Sequence, residues 1–134
     1  MSVDVIIIDD DPASIFLYQT VVKKSELAKA PLVFSNGRDA FNYLDTRNHQ
    51  DKLCLLLMDI NVLSLSAWEL LDQINLRPFA HRISVIIISS SIDAIDRKKA
   101  KAFKQVIHCL EKPVDVKELQ DKLKSFGHAF PERI

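Results

Sequence analysis

Apolar residues along this chain fall into short runs, each followed by a stretch in which they recur every three or four positions. The runs are Val3–Ile8, Pro31–Phe34, Leu53–Met58, Ile83–Ile88 and Val106–Leu110. Three of them are almost unbroken, as strands covered on both faces must be. The stretches between carry helix start signals. Asp11 before Pro12 reads as an N-cap with proline in the first turn. Ser66 with Glu69 fits a capping box, and Asp115 with Glu118 an acidic version of it. A second helix begins near Asn36 and Gly37 and turns Ala40, Phe41 and Leu44 inward. A fourth starts near Asp93, its Lys98, Lys99, Lys101 and Lys104 forming a solvated face. The last places Val116, Leu119, Leu123 and Phe126 on one inward stripe. Repeated strand–helix units with short connections predict right-handed crossovers and an open parallel sheet. The pattern predicts one domain over residues 1–126 and a short tail over 127–134.

In such sheets, functional groups collect at the carboxyl ends of the strands. Asp9, Asp10 and Asp11 follow the first strand, Asp59 and Asn61 the third, Ser89, Ser90 and Ser91 the fourth, and Lys112 and Pro113 the fifth. Carboxylates crowded at one edge repel one another, by about 4 kcal/mol for two charges about 4 Å apart at an effective dielectric near 20. A divalent cation relieves that. Oxygen donors with few protein ligands suit Mg²⁺. A lysine, a hydroxyl and a carboxylate on the central strand complete a set suited to phosphoryl transfer. Lys112 as a plain structural ion pair is the blander alternative. Asp11 is expected to be a helix cap, Ser90 and Ser91 to satisfy loop backbone, and Trp68 and Phe103 to be packing residues.

Composition narrows this picture. The 134 residues include 18 basic and 18 acidic side chains, and the net charge of zero gives no electrostatic case for nucleic acid or an anionic membrane. No apolar run approaches the roughly 20 residues of a membrane span, and no signal peptide is expected at the start. Cys54 and Cys109 lie in apolar runs and read as small buried hydrophobes in a reducing, cytoplasmic setting. His49, His81, His108 and His128 are scattered, so zinc is not expected.

The segments IIIDDDP at 6–12, LLLMDIN at 55–61, AWELL at 67–71, VIIISSS at 85–91 and LEKPVD at 110–115, in this order, resemble the receiver domains of two-component response regulators. The resemblance covers nearly everything from Val3 to Phe126 and is to the stand-alone, single-domain type. It implies a flavodoxin-like (βα)5 three-layer sandwich with a five-stranded parallel sheet in the order 2-1-3-4-5. It implies that Asp59 is the phosphoacceptor, that Asp10 binds Mg²⁺ (or Mn²⁺) directly, and that Asp9 acts through metal-bound water. Asn61 would offer its backbone carbonyl, and Lys112 would contact a phosphoryl oxygen. Ser89 would hold the phosphoryl group and move on activation. A cis bond is implied before Pro113.

The implied donor is a histidine kinase or a histidine phosphotransfer protein, docking near Ala13, Ser14, Leu17, Pro113 and Val114. With no output domain expected, the signal would pass to an unknown protein target, from a monomer or a phosphorylation-dependent dimer. The chain would be a signalling phosphoacceptor rather than an enzyme, although it would promote its own phosphorylation and dephosphorylation.

Two departures from the family pattern stand out. The loop after the acceptor reads VLSLSA, where proline and glycine are usual. Ala67 disfavours a positive φ there, which predicts a different path that presents Leu63 and Leu65 to a partner; the alternative is that both leucines tuck under the loop. Cys109 stands where many receivers carry Tyr or Phe, which predicts a muted aromatic readout. Alternative functions are a haloacid-dehalogenase-like phosphatase with Asp9 as nucleophile, a pseudo-receiver that never takes phosphate, and a flavin binder, which Asp9 to Asp11 would repel.

Overall fold

The computed structural model describes residues 3–28, 30–47, 52–62 and 64–129. Strands and helices alternate: β1 (Asp4–Ile8), α1 (Pro12–Lys24), β2 (Leu32–Phe34), α2 (Gly37–Thr46), β3 (Cys54–Met58), α3 (Ala67–Ile74), β4 (Ile83–Ser89), α4 (Ala94–Ala102), β5 (Val106–Glu111) and α5 (Val116–Ala129). All pairings are parallel, in the order β2-β1-β3-β4-β5. The chain moves outward from β1 to β2 and then reverses to β3, so the switch point lies between β1 and β3.

Successive strand residues face opposite sides of the sheet, and each side has its own core. Ile6, Ile8, Leu56, Met58, Val85 and Ile87 pack with Ala40, Phe41, Leu44, Leu70, Leu71 and Ile74, on the side of α2, α3 and α4. Val5, Ile7, Leu55, Leu57, Ile86 and Ile88 pack with Tyr18, Val21 and Val22 of α1 and with Leu119, Leu123 and Phe126 of α5. Burying each large aliphatic side chain contributes about 2 kcal/mol. Every residue of β3 is buried, which explains its unbroken apolar run.

The expected caps form. Asp11 accepts from the Ser14 backbone, Ser66 and Glu69 close a capping box, and Asp115 Oδ1 accepts from the Glu118 backbone at 3.0 Å. Four details differ from the sequence expectation. β2 starts at Leu32 rather than Pro31, because proline has no N–H to give the ladder. Val116 is 45% exposed, and the inward face of α5 starts at Leu119. Helical hydrogen bonding carries α5 past the end of its apolar stripe to Ala129, so 127–129 finish the helix. A 3-10 helix, Pro78–Arg82, leads into β4 where no element was expected.

The loop after β3 also departs from expectation. Ala67 is the first residue of α3, and the positive φ falls on Ser64, at 67°. Ser64 is held there by two bonds: its hydroxyl accepts from Arg38 N–H at 3.0 Å and donates to Asn36 Oδ1 at 3.2 Å. Leu65 is not presented to solvent; it is buried. It lies so close to Gly37 that a Cβ there would meet the Leu65 carbonyl oxygen at 2.5 Å. Leu63 lies outside the described residues.

Candidate functional site

The strand register aligns the site. Ile8 pairs with Met58, Met58 with Ile87, and Ile87 with Cys109, so the residues just beyond the strands emerge at one edge. Backbone bonds extend the alignment: Asp59 N–H donates to the Ile8 carbonyl at 3.2 Å, and Lys112 N–H to the Ser89 carbonyl at 3.0 Å.

Lys112 is the hub. Its Nζ donates to Asp9 Oδ2 at 2.9 Å and to Asp59 Oδ2 at 3.0 Å. Asp9 is buried, and its Oδ1 accepts from Asp11 N–H at 2.9 Å. Asp59 Oδ1 accepts from the Ser89 hydroxyl at 2.8 Å and from Asn61 N–H at 3.2 Å. Burial works against the Asp59 carboxylate, but the bonds from Lys112, Ser89 and Asn61 outweigh it and hold the carboxyl below its ordinary range. Burial likewise opposes the Lys112 ammonium, and the bonds to Asp9 and Asp59 reverse this, so its pKa lies above the usual lysine value. The result is an ionised carboxylate on the central strand, flanked by a cation and a hydroxyl.

Asp9, Asp59, Ser89 and Lys112 are therefore brought together. Asp10 and Asn61 are exposed at the same edge. Asp11 is taken up by its cap, and its Oδ2 accepts from the Ser14 hydroxyl at 2.6 Å. Ser90 and Ser91 are exposed and point to no further chemistry. Among the described residues, no group of three His, Cys, Asp or Glu side chains is arranged to hold a metal ion by itself. The Lys112 ammonium supplies the local positive charge instead. The donor set still fits Mg²⁺, which takes one or two carboxylates and fills its other positions with water and phosphate oxygens.

The Lys112–Pro113 peptide bond is cis. Cys109 is half-buried against the core on the α4 side, and burial raises its thiol pKa. Of the expected docking residues, Ala13 and Pro113 are exposed and Ser14, Leu17 and Val114 half-buried. Sequence reasoning missed two neighbours: Phe16 is 71% exposed and Val116 45%. A helical wheel of α1, on which Phe16 falls away from Tyr18, Val21 and Val22, was the available signal for the first. No helix among the described residues is long and apolar enough to cross a membrane.

A family model for the response regulator receiver domain matches residues 5–124. No curated protein matches. Among solved structures, a two-component response regulator from Cytophaga hutchinsonii is 26% identical, with a TM-score of 0.78 over 93% of this chain and 96% of that one. The receiver domain of a sensor histidine kinase from Pseudomonas aeruginosa, with a magnesium ion coordinated in its active-site cleft, is 16% identical, with a TM-score of 0.74 over 93% and 97%. The phosphorylated cyanobacterial phytochrome response regulator RcpA is 22% identical, with a TM-score of 0.74 over 95% and 92%. Receiver domains are signalling phosphoacceptors served by histidine kinases or phosphotransfer proteins. With nearly its whole length matched and the flavodoxin-like strand order in place, this chain belongs to the response regulator receiver domain family.

Proposed function

We propose that this protein takes a phosphoryl group onto Asp59 from a histidine kinase or a histidine phosphotransfer protein and passes the signal to a protein target. The observation that carries this reading is the Asp59 carboxylate, bonded at once by Lys112, Ser89 and the Asn61 backbone. A carboxylate oxygen of Asp59 attacks the phosphorus of a phosphohistidine. The O–P bond forms as the P–N bond breaks, and the imidazole leaves with the bonding pair and takes up a proton. Lys112 and Ser89, already aimed at Asp59, then serve the phosphoryl oxygens. Mg²⁺ or Mn²⁺, taken by Asp9, Asp10, Asp59 and the Asn61 carbonyl, would supply further positive charge there. That extension draws on the magnesium in the Pseudomonas aeruginosa receiver and on the Mn²⁺-bound form of the response regulator Rcp1.

Asp9 is the poorer nucleophile. Its side chain is 1% exposed against 17% for Asp59. This favours the receiver reading over the phosphatase. The donor would dock on α1 and the β5–α5 loop, at Ala13, Ser14, Leu17, Pro113 and Val114, with Phe16 and Val116 enlarging the apolar contact. Ser89 reorganises on phosphorylation, while Cys109 has no ring to swing, so the response at β5 is small. Free thiols at Cys54 and Cys109 suit a cytoplasmic setting. The test is an intact mass after incubation with acetyl phosphate and Mg²⁺, beside Asp59→Asn. One phosphoryl adduct is expected on the wild type and none on the variant. Turnover that survives Asp59→Asn but not Asp9→Asn would favour the phosphatase.

A further inference from the structure

We propose that Trp68 couples the loop after Asp59 to α4, so that the state of the acceptor reaches the basic, exposed face of that helix. The proposal rests on the phosphoacceptor reading above.

α4 is lightly anchored. Ala100 is its one buried residue. Its ion pair to β5, Arg97 to Glu111 at 2.6 Å, joins side chains that are 52% and 58% exposed, and such pairs hold little. Trp68, the only tryptophan in the sequence, supplies the buried tie. Its indole N–H donates to Asp96 Oδ1 at 3.2 Å. Asp96 also closes the α4 capping box, accepting from Asp93 N–H at 3.3 Å through its other oxygen. The indole stacks on Phe103, with centroids 5.9 Å apart and planes 8° from parallel. Phe103 is the residue that ends α4. One ring therefore engages the first turn and the far end of the same helix.

The other side of the tie reaches the acceptor. Trp68 follows Ala67, whose N–H donates to the Ile60 carbonyl at 2.9 Å. Ile60 follows Asp59, and Asn61 N–H is bonded to the Asp59 carboxylate. Formation of the acyl phosphate changes what that carboxylate can accept, and the bond from Ala67 N–H to the Ile60 carbonyl must readjust. Trp68 moves with the start of α3, and its hydrogen bond and stacking carry the shift to both ends of α4. Phenylalanine in its place would keep a ring beside Phe103, with less stacked area, and remove the N–H bonded to Asp96.

The test is amide hydrogen exchange on the whole chain, in wild type, Trp68→Phe and Asp96→Asn, with and without acetyl phosphate and Mg²⁺, and with an intact mass of every sample. Before phosphorylation, Trp68→Phe should speed exchange across α4 by roughly tenfold, about the worth of one hydrogen bond to a charged group, and leave α2 and α5 unchanged. Asp96→Asn, which leaves one acceptor oxygen for the two N–H groups, should speed α4 exchange in the same direction. With the adduct confirmed, wild type should show altered α4 exchange and altered emission from its single tryptophan. Trp68→Phe should take the same amount of phosphate and lose the α4 response. Equal α4 exchange in wild type and Trp68→Phe, or an undiminished α4 response in the phosphorylated variant, overturns the coupling and leaves the acceptor reading intact. Absence of any adduct on the wild type overturns the acceptor reading, and the signalling role of Trp68 with it.

Discussion

Replacing Lys112 with methionine removes the ammonium and keeps most of its apolar stem. That nitrogen lies 2.9 Å from Asp9 Oδ2 and 3.0 Å from Asp59 Oδ2. The two oxygens are therefore no more than 5.9 Å apart, and unit charges about 5 Å apart repel by roughly 3 kcal/mol at an effective dielectric of about 20. Lys112 offsets the repulsion in the wild type. Neither carboxylate is well screened, since their side chains are 1% and 17% exposed. Breaking a buried pair costs about 3–5 kcal/mol when the remaining charge cannot relax. Here one carboxyl can take up a proton, which limits the loss to about 2–3 kcal/mol at pH 7, or roughly 6–10 °C in Tm for a domain of this size.

The pH dependence identifies the cause. In the wild type, Asp59 is held below its ordinary pKa. Its contribution is therefore present above the unfolded value, near 4, and is lost as pH falls through the folded value. In Lys112→Met, Asp59 loses the bond from Lys112 that lowered its pKa, so the penalty is full at pH 7 and fades as pH falls towards 4. Both effects narrow the stability gap between the two proteins on acidification. Urea unfolding at pH 7, 5.5 and 4 measures it. Millimolar Mg²⁺ should restore part of the lost stability at pH 7 by standing in for the missing cation. A gap under about 0.5 kcal/mol at pH 7, or a gap constant across the range, would refute the reasoning.

Packing and burial each give a further expected outcome. Gly37→Ala drives a Cβ to 2.5 Å from the Leu65 carbonyl oxygen; the backbone clash should cost about 1–3 kcal/mol despite alanine's better helix propensity, and an unchanged Tm would contradict the close approach. Burial pushes the Cys54 thiol up to about 12, so at pH 8 only about one molecule in ten thousand carries the thiolate; alkylation of native protein and peptide mapping should leave Cys54 unmodified until the chain is unfolded.

Much of the fold is legible because β1, β3 and β4 are buried on both faces and so must be apolar. The site is legible because Asp9, Asp59, Ser89 and Lys112 each lie at or just past a strand end, and parallel register brings such positions to one edge. The features that stayed hidden depend on partners distant in sequence. Ser64 takes the positive φ because its hydroxyl is bonded to Asn36 and to the Arg38 backbone, and because Leu65 must clear Gly37. The chemical character of VLSLSA carries none of that. Trp68 read as packing, since its apolar periodicity is silent about an indole N–H that meets Asp96 on another helix. A register shift beside Val85 and Ile86 leaves Ile107 37% exposed on the edge strand, and the sequence of the run from Val106 to Leu110 gave no sign of it.

The most direct test of the central claim is the intact mass of wild type and Asp59→Asn after acetyl phosphate and Mg²⁺, with the modified peptide mapped. The account predicts a single phosphoryl group on Asp59 that depends on the metal and is absent from the variant. An adduct that persists in Asp59→Asn, or that maps to Asp9, would contradict it.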